Sequence, residues 1–528
     1  MAPLDDNALT EGITDPHALA VIAQLKLRLA KKQAELEIFE LKVQSLEERL
    51  RLERIARYGM HSETLSDLQL SLLDFEPAVS NEEIAAESAR PPLPATPPTL
   101  TPSRSAAKKH PGRNQLPTHL ARVEKIVACT EAQCLCGSCG AVTKVIGYEE
   151  TEVLDVKPAE YFVTVIKREK RACSQCARHG VQTAAPVVRI ADKSIFSDAL
   201  LVDFVMKKYS SALPLYRQQA ELKRDAGLDL PLSTINDGVL RVGELLEPVA
   251  RAMSREILAS GYVQADETPV GVQTNEKSGT NHTAYFWQYG SPGKGVIFDF
   301  RMGRDREGPR RFLKDYAGIL QTDGYGAYMN GIGARGMVHA CCLAHARRKF
   351  VDAVKVNEHD KDSAQIVAWM DALFAMDREA RRIGMNLEDR HALRRERAPQ
   401  LLTAIHAQLR AMESTVLPKS KAGEAAHYTL ALWSKLTLFL DHPVLELSTN
   451  LAENSMRPIA IGRKNWLHLG SKEAGPKIAA IFSIVESCRR LKIPVREYLT
   501  DTLPGLACRS LQTMQMFTPT AYANKIGI

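Results

Sequence analysis

From residue 18 to residue 55, apolar positions recur every seven residues. Ile22, Leu29, Leu36, Val43 and Leu50 form one seam; Leu25, Phe39 and Leu46 form a second, interrupted by Lys32 and Glu53. A repeat of about 3.5 residues per turn keeps both seams on one side of a helix, so residues 18–56 are expected to form a coiled coil. A helix packed on its own chain would show the same spacing.

The periodicity then stops. Residues 76–112 are an extended linker, with Pro91, Pro92, Pro94, Pro97, Pro98 and Pro102 in one short run. Such a segment cannot bury a core. Helical apolar spacing returns over 195–258, broken at Pro214 and near Gly227, with Ser233 as the expected cap of the next helix. A helix, a turn and a helix give the outline of a helix-turn-helix reader, although most helix pairs only pack. From 260 the period changes to that of strands. "GYVQADETPVGVQ", "HTAYFWQYG" and "GVIFDFRMG" are short β-rich runs separated by turn residues, followed by a helix in "REGPRRFLKDYA" and strands in "GILQTDGYGAYM" and "GMVHACCLAH". Residues 347–440 are helical again, with Trp369, Leu373, Trp433, Leu436 and Leu440 at core spacing. Residues 486–528 read as a helical tail.

Three strands, a helix and two further strands are the order of a ribonuclease H-like core. The expected fold is therefore α/β: a ribonuclease H-like catalytic domain over 260–485 with a helical insertion at 347–440. The coiled coil, a small zinc module and a helical DNA-binding region precede it. In such a core, carboxylates on the first strand, after the fourth strand and on a later helix converge. The candidates are Asp266, Asp323 and Glu453, with Glu267, Asp299 and Asp305 as rivals nearby. Phosphodiester chemistry needs two divalent ions about 4 Å apart, and hard carboxylate oxygens suit Mg²⁺, with Mn²⁺ as a substitute.

Charge adds to this. The chain has 528 residues, a net charge of +7 and ten cysteines. A mildly basic balance is compatible with nucleic acid. No acidic residue occurs from Asn454 through Lys472, so Glu453 stands at the edge of a run holding Arg457, Arg463 and Lys464. These three would meet phosphates, as would Lys108, Lys109 and Arg113 around the linker's end and His345, Arg347 and Arg348 in "HARRKF". Trp466 would stack on a base or pack in the core. Composition shows neither a membrane span nor a signal peptide, which points to a cytoplasmic protein with reduced thiols.

Within residues 113–185, "CLCGSCG" and "RACSQC" place Cys136 two residues from Cys139 and Cys173 two residues from Cys176. Paired knuckles of this spacing hold a structural, tetrahedral Zn²⁺, with Cys134 as a spare ligand. Cys342 and His345 form a weaker pattern in which His345 is a ligand, a phosphate contact or a structural residue.

"QADETPVGV", "LQTDGYGAY", "CCLAHARRKF" and "NLAENSMRPIAIGRKNWLHLGS" resemble the transposases of the insertion-sequence 66 family. The coiled coil, "GRNQLPTHLAR", the cysteine module, "KKYSSALPLYRQQ" and "IPVREYL" occur in that family's order. The resemblance implies a bacterial, nucleoid-associated DDE transposase that cleaves and joins the double-stranded ends of its element and a target, using Mg²⁺ at Asp266, Asp323 and Glu453. One departure is Asn454, where the family often has arginine; Arg457 is present. Self-association through the coiled coil is expected, and accessory proteins of the same element remain open as partners. A nuclease that does not join, or a DNA-binding regulator with an inactive core, are the alternatives.

Overall fold

The computed structural model describes residues 20–33, 160–171, 182–274, 280–329 and 332–527, with isolated positions elsewhere in the N-terminal third. The proline-rich linker, Lys108, Lys109, Arg113 and the four knuckle cysteines lie outside the described residues. Residues 20–33 are helical, and the seam residues Leu25, Leu29, Leu36, Phe39, Val43 and Leu46 are all exposed.

Three helices lead into the sheet. α1 (Asp198–Val205) is capped by Ser197, whose side chain accepts from Leu200 N, and runs into a π-helical turn. α2 (Leu215–Ala226) ends at Gly227, whose φ of 65° favours a residue without Cβ. α3 (Leu232–Leu258) starts one residue before Ser233, so Pro231 rather than Ser233 holds the cap position. Its buried stripe of Ile235, Val239, Val242, Leu246, Val249, Met253 and Ile257 keeps helical period.

The sheet comprises β1 (Tyr262–Val272), β2 (His282–Gly290), β3 (Val296–Arg301), β4 (Ile319–Thr322) and β5 (Val338–Cys341), with the short α4 (Glu307–Phe312) between β3 and β4. The strand order is β3-β2-β1-β4-β5. β1, β2 and β3 form an antiparallel meander. β4 runs parallel to β1, and β5 parallel to β4. β5 closes at Cys341, and the next residues begin α5 (Leu343–Val356), so His345 lies in a helix rather than in the strand expected from sequence.

The helical segment that follows comprises α6 (Lys361–Arg382), α7 (Leu387–Thr415), α8 (Lys421–Ala431) and the single turn α9 (Trp433–Leu436). α10 (Asn450–Trp466) leads to β6 (His468–Leu469), which pairs with the far end of β1. α11 (Ala474–Arg490), α12 (Val495–Thr502) and α13 (Pro519–Ile526) complete the chain.

Among the described residues the apolar side chains form two cores. The larger joins α1, α3, β1 to β3, α11 and the C-terminal helices through Leu246, Phe286, Phe482, Tyr498 and Leu499. The 195–258 helices and the tail therefore share one interior with the sheet, and α11 runs unbroken across residue 485. Gly243 marks the closest approach of α3 and α11: a Cβ there would lie 2.6 Å from the Lys477 carbonyl. The second core gathers Ile366, Met370, Leu373, Ile405, Leu409 and Phe439 of the helical segment around Ala340 and Cys341 of β5.

Candidate active site

β1 and β4 are parallel, with Gln264 opposite Gln321. Asp266 and Asp323 each lie two residues beyond that rung, which places them at neighbouring positions on the same end of the paired strands. Asp266 sits inside β1 rather than past its end, because β4 is much the shorter strand. The Asp323 turn needs Gly324, at φ 87°, where a Cβ would strike Leu432. Asp323 Oδ1 accepts from Tyr325 N at 2.7 Å, and Tyr428 of α8 donates its hydroxyl to the Asp323 carbonyl. The helical segment thus braces this turn.

Glu453 enters from the first turn of α10, which packs across β1. Its carboxylate lies 3.3 Å from His345 Nε2 and 3.3 Å from Arg348 Nη2. The loop before α10 is pinned from several sides. Gln264 Nε2 donates to the Ser448 carbonyl at 3.1 Å, Gln321 Nε2 to the Glu446 carbonyl at 2.7 Å, and Arg394 Nη1 to the Leu445 carbonyl at 2.7 Å.

The electrostatics show that these carboxylates form one neighbourhood. Burial, and then the negative charges of Glu267, Glu453 and Asp323, push the Asp266 carboxyl up to about 7. Burial raises Glu267 as well, opposed by Arg304 and Tyr328. For His345, burial works against protonation, but Cys342, Glu453 and Asp323 outweigh it and lift the imidazole to about 9. His345 is therefore a cation at neutral pH, facing the cluster.

Among the described residues, no three His, Cys, Asp or Glu side chains stand close enough together to hold one ion as they are arranged. Glu453 is turned toward His345 and Arg348. The donor set nevertheless fits hard divalent cations. Its oxygens are carboxylate, and the half-buried Asp266 lies among like charges with no ion pair of its own among the described residues.

Several expected contacts fall elsewhere. Arg347 is buried and pairs with Asp371, so it ties α5 to α6 instead of reaching DNA. Arg463 donates to Thr268 Oγ1 at 3.0 Å and to the Pro269 carbonyl at 2.5 Å, which fastens α10 to β1. Arg457 and Lys464 are exposed on α10, and Arg348 is partly exposed beside Glu453. Trp466 packs against the larger core. Of the rival carboxylates, Asp299 pairs with Arg301 at 2.7 Å, and Asp305 accepts from Glu307 N at 2.9 Å. Sequence reading missed Arg304 and Tyr328, which bond Glu267, and Tyr325, over whose ring the Arg304 guanidinium lies. The two tyrosines follow Asp323 in "DGYGAY", an aromatic pair that could have signalled a built wall; Arg304, in a mixed-charge loop, gave no signal.

The fold and this carboxylate cluster define a mixed α/β protein with an acidic site where β4 ends beside the parallel β1. The model of the family described as "Transposase IS66 family" matches residues 193–477, and the chain belongs to that family. The "zinc-finger binding domain of transposase IS66" matches residues 133–177, over all four knuckle cysteines, and "Transposase C of IS166 homeodomain" matches residues 45–124. Two curated relatives from Sinorhizobium fredii are similar along most of their length. "Uncharacterized protein y4jD" is 30% identical over 417 residues, covering 76% of this chain and 80% of its own. "Uncharacterized protein y4hP" is 28% identical over 492 residues, covering 89% of this chain and 85% of its own. The chain is thus a transposase-family protein with DNA as its partner and a zinc-finger module. No helix among the described residues is long and apolar enough to cross a membrane.

Proposed function

We propose that this chain cleaves the ends of its insertion sequence and joins them to target DNA, with Asp266, Asp323 and Glu453 as the acidic ligands of a ribonuclease H-like catalytic core. The strand order β3-β2-β1-β4-β5, with an antiparallel meander followed by parallel strands, supports that fold. The observation that carries the chemistry is the crowding of carboxylates from β1, β4 and α10, which lifts Asp266 to about 7. A protein keeps such like charges together when a cation or a reaction uses them.

When bound, two divalent ions supply Lewis acidity at the attacking and leaving oxygens of a phosphodiester. Asp266 and Asp323, fixed on adjacent strands, would hold metal from the sheet, and Glu453 would swing from His345 and Arg348 to complete the set. His345 and Arg348 are then free to offset negative charge beside the cluster. In cleavage, a water oxygen bonds to phosphorus as the P–O3′ bond breaks and leaves a 3′-hydroxyl. In joining, that hydroxyl bonds to a target phosphorus and a target P–O3′ bond breaks.

The exposed seam of the N-terminal helix supports self-association as a coiled coil, and Cys136, Cys139, Cys173 and Cys176 support one structural zinc. The working place of such an enzyme is the bacterial nucleoid. The deciding experiment uses duplexes that carry the DNA flanking the gene, incubated with Mg²⁺ and a target plasmid. Joined products that vanish in Asp323→Asn establish the reading. Cleavage without joining would make the protein a nuclease, and no cleavage of any duplex would make it a DNA-binding regulator.

A further inference from the structure

We infer that the segment from Arg304 through Lys314, the β3–α4 loop with α4 itself, is a docking strip for the DNA backbone that leads phosphates to the carboxylate cluster. This rests on the reading that the cluster acts on DNA.

One side of α4 is committed to the sheet. A Cβ on Gly308 would lie 3.4 Å from the Trp287 ring, Phe312 stacks on Tyr289 with ring centroids 3.8 Å apart, and Leu313 is buried. The other side carries Arg306, Arg310, Arg311 and Lys314, all exposed. Asp305, which accepts from Glu307 N at 2.9 Å, and Glu307 are the acids within the segment, and Lys314 lies 4.0 Å from Asp315; Arg304, Arg306, Arg310, Arg311 and Lys314 outnumber the two and leave it net basic. No large apolar side chain in the segment is exposed, so it lacks the anchor that a protein partner needs.

Arg304 is the inner end of the strip. Its Nε and Nη2 donate to Glu267 Oε1 at 3.0 and 2.6 Å, and its guanidinium lies over the Tyr325 ring at 3.9 Å. Tyr325 returns a hydrogen bond from its hydroxyl to the Arg304 carbonyl at 3.0 Å. Glu267 follows Asp266 and Tyr325 lies two residues after Asp323, so Arg304 is braced against both aspartate positions. Its side chain is still 44% exposed, and Nη1 has no acceptor among the described residues. A planar guanidinium held by a carboxylate on one edge and an aromatic face below presents its remaining edge, which suits a phosphate. Spaced cations leading outward from it fit a phosphate backbone better than a single anion.

The test uses the full-length chain, a fluorescein-labelled duplex of mixed sequence, and anisotropy over a series of sodium chloride concentrations in EDTA. Arg310→Gln with Arg311→Gln is expected to weaken binding about tenfold, and the slope of log affinity against log salt should become shallower by about 0.9 for each phosphate that is no longer neutralised. Arg395→Gln with Arg397→Gln removes the same charge from an exposed stretch of α7 and is expected to change neither quantity. Arg304→Lys, which keeps the charge but not the planar fork, should weaken binding about threefold at an unchanged melting temperature. Equal weakening in the two double variants would reduce the effect to net charge and overturn the strip, as would wild-type affinity and slope in Arg310→Gln with Arg311→Gln. Wild-type affinity in Arg304→Lys would overturn its place as the inner end. Because no divalent ion is present, these outcomes are independent of cleavage. Carboxylate variants that keep activity would overturn the catalytic reading and leave the strip standing.

Discussion

Two regions among the described residues gather charge out of the solvent's reach to different degrees, and they balance it in opposite ways. Between the helical segment and the sheet, Asp377 and Glu446 are surrounded by Arg381, Arg390 and Arg394. Arg394 Nε donates to Asp377 Oδ1 at 2.6 Å, Arg390 Nη2 lies 3.2 Å from Glu446 Oε1, and Arg381 reaches both carboxylates. Burial disfavours charge there, but the arginines outweigh it and hold Asp377 and Glu446 below the usual carboxylate range. Where β4 ends beside β1, Asp266, Glu267, Asp323 and Glu453 lie together, and Asp266 is driven up instead. Asp377 and Glu446 are matched by cations of their own chain and serve the fold, whereas Asp266, with no ion pair among the described residues, awaits a partner from outside.

The largest way to break this comparison is to unbalance the matched side. Glu446→Gln leaves the buried arginines with one carboxylate, and removing one partner of a buried pair costs about 3–5 kcal/mol. Urea unfolding should register most of that loss. A variant as stable as wild type would mean that the cluster is open to water.

Next in size is the carboxylate cluster beside β4. Asp266→Asn, Asp323→Asn and Glu453→Gln should each lose cleavage by at least about a hundredfold, about 2.7 kcal/mol of activation free energy. DNA binding should hold or rise slightly, because each variant drops a negative charge. Strand-cleavage rates beside anisotropy affinities would check both. Normal cleavage by Glu453→Gln would remove α10 from the cluster.

The two sides differ in how much of them the sequence showed. The apolar runs around "QAD" and "LQTD" gave β1 and β4, because a strand between buried layers is read directly as hydrophobic residues. Asp266 and Asp323 were legible as a pair for that reason. Arg347 and Arg463 read as DNA contacts in sequence because the groups that hold them, Asp371, the Thr268 hydroxyl and the Pro269 carbonyl, lie far away in the chain. The matched cluster had a signal that went unread. On α7 the buried stripe is Arg390, Arg394, Ala398, Leu402, Ile405, Leu409 and Met412. Two arginines continue an apolar face there, and arginines on such a face require buried acids opposite them.

A smaller effect sharpens the contrast through pH. The Asp266 carboxyl titrates near 7 in the folded chain and near about 3.9 when unfolded. Between those values the folded state binds more proton, so this group lowers stability progressively as pH rises from about 4 to 7. In metal-free buffer, Asp266→Asn should therefore stabilise the protein at pH 8 by about 1–2 kcal/mol, shared as the strain is among coupled carboxylates. The gain should fade toward pH 4. Thermal melts at several pH values would show it, and added Mg²⁺ should shrink the difference by stabilising the wild type. A gain independent of pH would mean that packing rather than charge is responsible.

Asp299 gives the smallest effect and separates the two classes within one sheet. It lies on β3, opposite Trp287 of β2, two strands away from Asp266. Burial raises its carboxyl, but Arg301 opposes that and lies 2.7 Å from Oδ2. It is a half-buried acid with its own cation, at the edge of the sheet away from β4. By the rule drawn from the two larger clusters it belongs to the fold. Asparagine keeps its shape and hydrogen bonding, and the partly exposed Arg301 can turn to water, so Asp299→Asn should cost less than about 1 kcal/mol. Cleavage should stay within about threefold of wild type, a change of about 0.6 kcal/mol in activation free energy. Measuring both on one preparation decides the matter: a stable Asp299→Asn protein that cannot cleave would place the third catalytic carboxylate on β3 and reduce Glu453 to a charge partner of His345 and Arg348.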